Sequence, residues 1–460
     1  MNIVVCGAGQ VGRHTAEVLV SANHRVTVVD SDANAIRIIQ DNLDAATLQG
    51  SCTEPRVLLD AGVARCDLLV AATNRDEVNL ISASLAKGLG AKSTVARVHH
   101  RAFFENTVFD YAAHLGIDRL ICPEFVTAEA IARSLRNPGA IAIESFARGK
   151  IEIQEFPVPE ESPVLGKPLS TLRLPPRTRL VGISRNHFVF LPRADSVIEP
   201  GDVVILLSDK EHFEEALDQF GNKAGTARRR IVIMGGPAMA VWLCRSLRSR
   251  RFSIRVFEEN AARAEELAEK LDWVTIINAD PTDASVFTEE AVGQADVFIA
   301  LTDDDERNIL GSAWVKSLGV RQTIAVVQRP QYGHLLEHVG IDRAFSPRIT
   351  AVSEILNVLE RKGLRRLTSL AEGVLDVFRA RVEPGSAIVG RPLREVKELG
   401  AWVVVAVEHG DDITVPTADT VVEAGDTILA VGPHGTDKAL AELLDTTVVK
   451  APTAYAAYAS

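Results

Sequence analysis

The chain repeats itself at long range, and that repeat limits what it can fold into. Asn2-Ile3-Val4-Val5-Cys6-Gly7 answers to Arg230-Ile231-Val232-Ile233-Met234-Gly235, and an acid follows at the same distance in each, Asp30 and Glu258. Thr73-Asn74-Arg75-Asp76-Glu77-Val78-Asn79 recurs as Thr302-Asp303-Asp304-Asp305-Glu306-Arg307-Asn308, and Gly116-Ile117-Asp118-Arg119 as Gly340-Ile341-Asp342-Arg343. Gly166-Lys167-Pro168-Leu169 returns as Gly390-Arg391-Pro392-Leu393, and Glu199-Pro200-Gly201-Asp202 as Glu423-Ala424-Gly425-Asp426. A period of about 220 residues is far longer than a solenoid repeat, so each copy is expected to be a folded domain or domain pair.

Each copy changes pattern midway. Its first part alternates short Val/Ile-rich runs with helical periodicity: strands at 3–6, 25–29, 67–71 and 94–98, helices at 11–22, 32–41 and 76–88. Strands alternating with helices predict βαβ units and a parallel sheet. In the second part Ile151-Glu152-Ile153-Gln154-Glu155-Phe156 alternates with period two, and Pro and Gly recur every few residues, which predicts a small domain with antiparallel strands. Asn137-Pro138-Gly139 stops a helix with Ala128, Ile131, Ala132 and Leu135 on one face. The joint NKAGTARRR, 222–230, reads as a solvated linker, and the tail 451–460 as a frayed end. Four compact units are therefore expected: 1–138 and 230–362 as parallel-sheet domains, 139–222 and 363–450 as small α+β domains.

Composition narrows the function. Fifty basic against 61 acidic residues in 460 give a net charge of −11, the wrong sign for a protein that binds nucleic acid by releasing phosphate counterions. Five cysteines without a CxxC pair suggest neither a disulfide framework nor a zinc site, and so a reducing compartment. The first residues begin a strand with no secretory signal pattern, and no run approaches the 18 or more apolar residues needed to span a bilayer. A cytoplasmic protein is expected, any membrane role coming through a protein partner.

The residues that carry chemistry are Gly7-Ala8-Gly9-Gln10-Val11-Gly12, a GxGxxG between a strand and a helix, with Asp30 closing the next strand. Gly7 permits the tight turn, Gly9 lets backbone approach a pyrophosphate held by the helix N-terminus, and Gly12 lets helix and sheet pack closely. Asp30 would accept from ribose hydroxyls and repel a 2′-phosphate, which favours an unphosphorylated ribose. The second copy departs here. Pro237 stands at the place of Gly9 and Ala240 at that of Gly12, although Glu258 keeps the acid. Proline donates no N–H, so an altered or empty second site is expected.

Thr73 and Asn74 follow a strand at the sheet's carboxyl edge, where a hydroxyl and an amide can bond a nucleotide. Asn74 also has N-cap spacing to Glu77. Arg97 is a candidate for the phosphates, with Val326 as its counterpart, and Arg101 a weaker one. Cys52 is either core or packed against adenine. Asp303-Asp304-Asp305-Glu306 reads as helix capping more than as a cation site, and His99-His100 lacks a spaced third ligand. No Tyr-x-x-x-Lys pair and no His–carboxylate constellation offers hydride transfer, so the ligand is sensed and not consumed.

In this order the motifs GAGQVG with Asp30, AATNRDEVN, ARV, Gly-Ile-Asp-Arg and VLGKPL…EPGD resemble the regulator-of-potassium-conductance (RCK, also KTN) domain and its C-terminal companion. The tandem is similar to the TrkA family of regulatory subunits in Trk potassium uptake. The resemblance covers the chain to about residue 450 and implies two Rossmann-like domains, each followed by a small α+β domain. It also implies NAD(H) and ATP or ADP as ligands, a homo-oligomeric ring, typically a tetramer, and a TrkH- or TrkG-type potassium-translocating partner at the cytoplasmic membrane face. Gly7, Gly9, Gly12 and Asp30 would then hold the nucleotide, with Arg97 near its phosphates. An NAD-dependent oxidoreductase and an RCK-type regulator of another cation channel or antiporter are the alternatives.

Overall fold

The computed structural model describes residues 1–104, 109–136, 140–142, 151–185, 188–209, 211–221, 228–280, 283–329, 332, 336, 338–359, 363–370, 374–410, 412–446 and 448–449. The stop at 137–139, most of the joint 222–230 and the tail 451–460 thus lie outside the described residues.

The first copy opens with six strands: β1 (Asn2–Cys6), β2 (Arg25–Asp30), β3 (Ala46–Gln49), β4 (Leu68–Ala71), β5 (Thr94–Arg97) and β6 (Arg119–Ile121). They pair in the order β3-β2-β1-β4-β5-β6, all parallel. The order reverses between β1 and β4, the place where open parallel sheets present their ligand crevice. Val4, Val5, Val28, Val29, Leu69 and Val70 are buried, as expected of strands covered on both faces by helices. The helices Gln10–Ser21, Ala33–Asn42 and Asp76–Gly88 stand close to their predicted limits. The edge strands β3 and β6 were not foreseen, because four and three residues give too short an apolar pattern. The helix Pro123–Arg136 buries Ala128, Ile131, Ala132 and Leu135, its predicted face.

A small sheet follows, with β7 (Ala140–Ala142), β8 (Ile151–Pro157), β9 (Arg179–Arg185), β10 (Phe188–Phe190) and β11 (Val203–Asp209) in the antiparallel order β10-β9-β11-β8-β7. The second copy repeats both sheets. Strands β12 (Arg229–Met234), β13 (Phe252–Glu258), β14 (Thr275–Asn278), β15 (Val297–Ala300), β16 (Gln322–Val326) and β17 (Arg343–Phe345) pair as β14-β13-β12-β15-β16-β17. Strands β18 (Leu364–Leu370), β19 (Leu375–Arg381), β20 (Val403–His409), β21 (Asp412–Thr414), β22 (Thr427–Pro433) and β23 (Val448–Val449) complete the chain.

Like packs with like. One compact unit joins Met1–Ala132 to Ala227–Val358, the two parallel-sheet lobes; the other joins Arg133–Thr226 to Leu359–Thr453, the two small domains. In the first unit the helix Pro123–Arg136 reaches the second lobe: Phe125 meets Trp242 edge-on at 5.7 Å and Glu129 accepts a hydrogen bond from Ser246. Arg119 of the first lobe pairs with Glu354 of the second at 2.6 Å. In the second unit one core serves both copies, with Ile151, Ile153, Val181, Ile205 and Leu207 packed among Leu370, Leu375, Val377, Val405 and Leu429. The registers shift at matching places, so that Val181 in β9 and Val405 in β20 are the bulged residues. Without these bulges the two valines would not add to the shared face. Arg179 ties the copies further, its Nη1 donating to the carbonyls of Pro416 at 2.8 Å and Val404 at 3.3 Å.

Several repeated motifs are structural clamps. Asp118 accepts from Lys87 Nζ at 2.8 Å and Thr94 N at 2.7 Å; Asp342 accepts from Lys316 Nζ at 2.6 Å and Thr323 N at 2.7 Å. Burial would raise the Asp342 carboxyl, but the lysine ammonium and the threonine donors hold it below the usual carboxylate range. The two Glu-x-Gly-Asp turns differ more. Buried Asp202 accepts from Arg185 Nε and Nη2, both at 2.8 Å, whereas Asp426 meets His409 Nδ1 at 2.6 Å.

This difference predicts a pH effect. The hydrogen bond and charge of Asp426 raise the His409 pKa above its ordinary value of about 6.5. A raised folded-state pKa means that the pair's contribution is fully present below the unfolded value and is lost as pH rises through the folded one. The Arg185 guanidinium, held above its ordinary value by Asp202, stays charged as the pH rises. NMR titration should place His409 above the ordinary histidine value, and Asp426→Asn should return it there; a His409 that titrates alike in both proteins contradicts the pairing.

Candidate functional site

The first lobe's turn is built by three constraints. Gly7 has φ +106°, and a Cβ on it would stand 3.0 Å from Ala72 C, Ala72 O and Thr73 N. Its N–H bonds Val29 O at 2.8 Å, which pins the end of β1 to β2. Gly12 is tighter still, since a Cβ there would come within 1.9 Å of Gly7 O. Gly9 is different: a Cβ on it would meet nothing within 4 Å. Packing within the protein therefore does not demand glycine at 9, and the space left open lies over the turn.

Gly9 caps the helix Gln10–Ser21 with extended backbone, φ −67° and ψ −172°, and no side chain caps the helix. No acid sits in the helix's first turn, so its amide donors and the positive end of its dipole remain available to an anion. Ala8 is spent: its N–H donates to Asp30 Oδ2 at 2.6 Å, while Asp32 N donates to Asp30 Oδ1 at 2.9 Å. Asp30 thus does a second job beyond the one expected of it, holding the turn to the end of β2. Each carboxylate oxygen keeps a lone pair for a ribose hydroxyl.

Thr73 sits where predicted, after β4, and its N–H and hydroxyl both donate to Asn79 Oδ1, at 2.8 and 2.7 Å. Asn79 is fully buried and returns donors to Thr73 O at 3.1 Å and Arg97 O at 2.9 Å, tying together the ends of β4 and β5. The second lobe repeats this with Thr302 and Asn308. Sequence reading passed over Asn79, although Thr, Asp, Glu and Asn are the residues that both copies of the segment share. Asn74 is exposed and is not the N-cap; that position is Arg75, without a capping side chain, so the capping-box reading is corrected by one residue. Asp76 instead turns inward to accept from the N–H of His99 and of His100 and from His99 Nδ1 at 2.7 Å.

Arg97 lies at the end of β5, but its Nη2 already pairs with Glu124 at 2.8 Å. A phosphate there would compete with that carboxylate. The Arg101 side chain lies outside the described residues. Cys52 is buried, its Sγ 3.6 Å from Val29 O, which fits a core thiol.

In the second lobe Pro237 caps the helix Ala238–Ser246, and Ala240 N donates to Pro237 O at 2.9 Å. Two amide donors that the first turn offers are thereby missing. Glu258 still accepts from Gly236 N and Asn260 N, each at 2.8 Å, as Asp30 does in the first lobe. A cleft of about 480 Å³ lies over this turn, lined by Pro237, Glu258, Glu259, Asp304, Arg263 and Arg307 among others. Its arginines are engaged, Arg263 with Glu266 and Gly236 O, Arg307 with Glu259 and Asp280. Asp304 is the N-cap of Asp305–Ser317 and accepts from Arg307 N at 2.9 Å, so the acidic run caps a helix as expected.

Comparison with known proteins agrees with this layout. The TrkA-N domain family matches residues 3–123 and 231–347, and the TrkA-C domain family residues 153–221 and 377–445. A Trk system potassium uptake protein TrkA homolog of Archaeoglobus fulgidus is 33% identical over 430 residues, 93% of this chain and 96% of that one. The Trk system potassium uptake protein TrkA of Vibrio alginolyticus is 31% identical over 93% of this chain and 95% of its own. Among solved structures, the GsuK channel bound to NAD shares the fold with a TM-score of 0.59 and 18% identity, covering 96% of this chain and 79% of that one. Two TrkA-N domains and two TrkA-C domains in alternation, with 33% identity along 96% of a relative's length, make this chain a member of the TrkA family.

Proposed function

We infer that this protein is the nucleotide-sensing regulatory subunit of a Trk potassium uptake system, binding its ligand on the first lobe's turn. One observation carries the reading: the start of helix Gln10–Ser21 offers amide donors beneath open space over Gly9, whereas the second copy's helix, equally free of caps and acids, begins at Pro237, which donates no N–H. Backbone N–H groups of Gly9 to Gly12 hold the pyrophosphate, with Gly7 and Ala8 shaping the turn. Asp30 takes the ribose hydroxyls, which favours NAD(H) or ATP/ADP over a 2′-phosphorylated ligand. Thr73, Asn74 and Arg97 border the same sheet edge. The protein acts by binding and not by catalysis.

Among the described residues no helix is long and apolar enough to cross a membrane. The protein is proposed to work in the cytoplasm as a homo-oligomeric ring of tetramer type, docked on a TrkH- or TrkG-type subunit at the membrane's inner face. A nucleotide shifts the gate only by binding two ring states with different affinity.

Calorimetry with NADH, ATP and ADP tests the site. Asp30→Ala removes the ribose acceptor and orphans the N–H groups of Ala8 and Asp32, so affinity is expected to fall by about 30-fold or more. Undiminished binding in Asp30→Ala overturns the ribose assignment. Potassium-limited growth of a strain lacking its Trk regulator tests the system, and binding without rescue separates the site from the Trk role.

A further inference from the structure

The helix Pro347–Leu359 begins with a residue that local helix physics opposes. Arg348 stands in its first turn, where the dipole favours an acid and disfavours a cation. The counterpart in the first copy obeys the rule: Pro123-Glu124 opens the helix Pro123–Arg136, and Glu124 pairs with Arg97. Arg348 is also buried, with 8% of its surface exposed. Burial, and then the charge of Arg13, push its pKa below that of an ordinary guanidinium, and the charges of Asp305 and Glu17 only partly offset this.

A buried guanidinium is normally matched by a carboxylate or phosphate, because an uncompensated buried charge is costly. Among the described residues Arg348 has neither. Its Nη2 donates to Gln10 Oε1, a neutral amide, and its Nε has no acceptor. Gln10 is the first residue of the helix that follows Gly9, so the second copy places this arginine at the first copy's glycine turn. Arg13, whose Nε is 3.7 Å from Glu17, adds a second guanidinium one helical turn on.

We propose that Arg348, supplied by the second lobe, binds the phosphates of the nucleotide seated on the first lobe's turn, so that the ligand bridges the two lobes. The inference rests on the nucleotide reading above and extends it to a residue more than 300 positions away in the chain. Gln10 holds the arginine in place through a neutral acceptor, and a phosphate oxygen supplies the negative charge that the amide lacks. The asymmetry of the copies follows: the turn that keeps its glycines receives an arginine, while the equivalent position in the other helix carries Glu124. Nucleotide occupancy then acts on the contact between lobes as well as on one lobe.

Titration calorimetry with ADP and with adenosine, on wild type and Arg348→Met, tests this. Methionine keeps the volume without the charge, so the apo melting temperature should stay level or rise. ADP affinity should fall about tenfold or more, as for a lost charge-assisted hydrogen bond, while adenosine affinity stays within about twofold. Equal losses for ADP and adenosine, or an unchanged ADP affinity, overturn the proposal. Arg348→Lys, which keeps charge but loses the fork, should give an intermediate ADP loss and serves if the methionine variant fails to fold. Wild-type protein that binds neither ADP nor NADH would instead remove the nucleotide reading itself, and this inference with it.

Discussion

Gly12→Ala is expected to lower affinity for NADH or ADP by about 100-fold or more and to cost about 1–3 kcal/mol of stability. The added methyl would sit 1.9 Å from Gly7 O and 2.9 Å from Gly7 C, backbone atoms that no rotamer change can move. Gly7 cannot retreat, because Ala72 and Thr73 crowd its other side and its N–H is fixed to Val29 O. The helix start must therefore shift by roughly an ångström, and its amide donors shift with it. The reciprocal change Ala240→Gly removes a methyl that the second turn already accommodates, so nucleotide binding should hardly move. Calorimetry on both variants checks the pair, and a Gly12→Ala protein that binds within threefold of wild type sinks the steric account.

The largest loss of stability is expected from Val405→Asp. Val405 is fully buried in the core that the two small domains share, and its bulge turns it toward the other copy's Ile205 and Leu207 cluster. A carboxylate there loses its water without gaining a partner, at a cost of about 4 kcal/mol or more. Scanning calorimetry should show the small-domain transition moving down by many degrees or vanishing. Val421→Asp, at a position 46% exposed, controls for the added charge and should be close to silent. Equal effects from the two substitutions would mean that the shared core does not hold the copies together.

The long-range repeat and the central strands were legible because burial on both faces writes continuous Val/Ile runs into the sequence. The glycine turn was legible for the same kind of reason: strand, turn, helix and acid are local in the chain, and their spacing records the geometry. What escaped was set by contacts between distant segments. Asn79 looks like any polar helix residue until β4 and β5 are seen to end beside it. Arg97 read as an open phosphate ligand because its partner Glu124 lies beyond another strand. Arg348 carries no local motif at all, and only the pairing of lobe with lobe brings it to Gln10. The Asn74 cap failed by a single residue, the usual margin at helix ends.

The like-with-like pairing also has a temporal side. Neither unit can close on itself while the first copy alone has left the ribosome, since each takes half its residues from the second copy. At about 10 residues per second, the shared faces of the first copy wait some 20 s for their partners. During that interval the face that bears Val181, Ile205 and Leu207 is expected to lack its cover, a surface that would invite chaperones or another nascent chain, and limited proteolysis of residues 1–226 made alone should find that sheet more readily cut than in the full chain. Duplication spares the finished protein a search for its twin in solution, and moves the hazard of mispairing to the moment of synthesis.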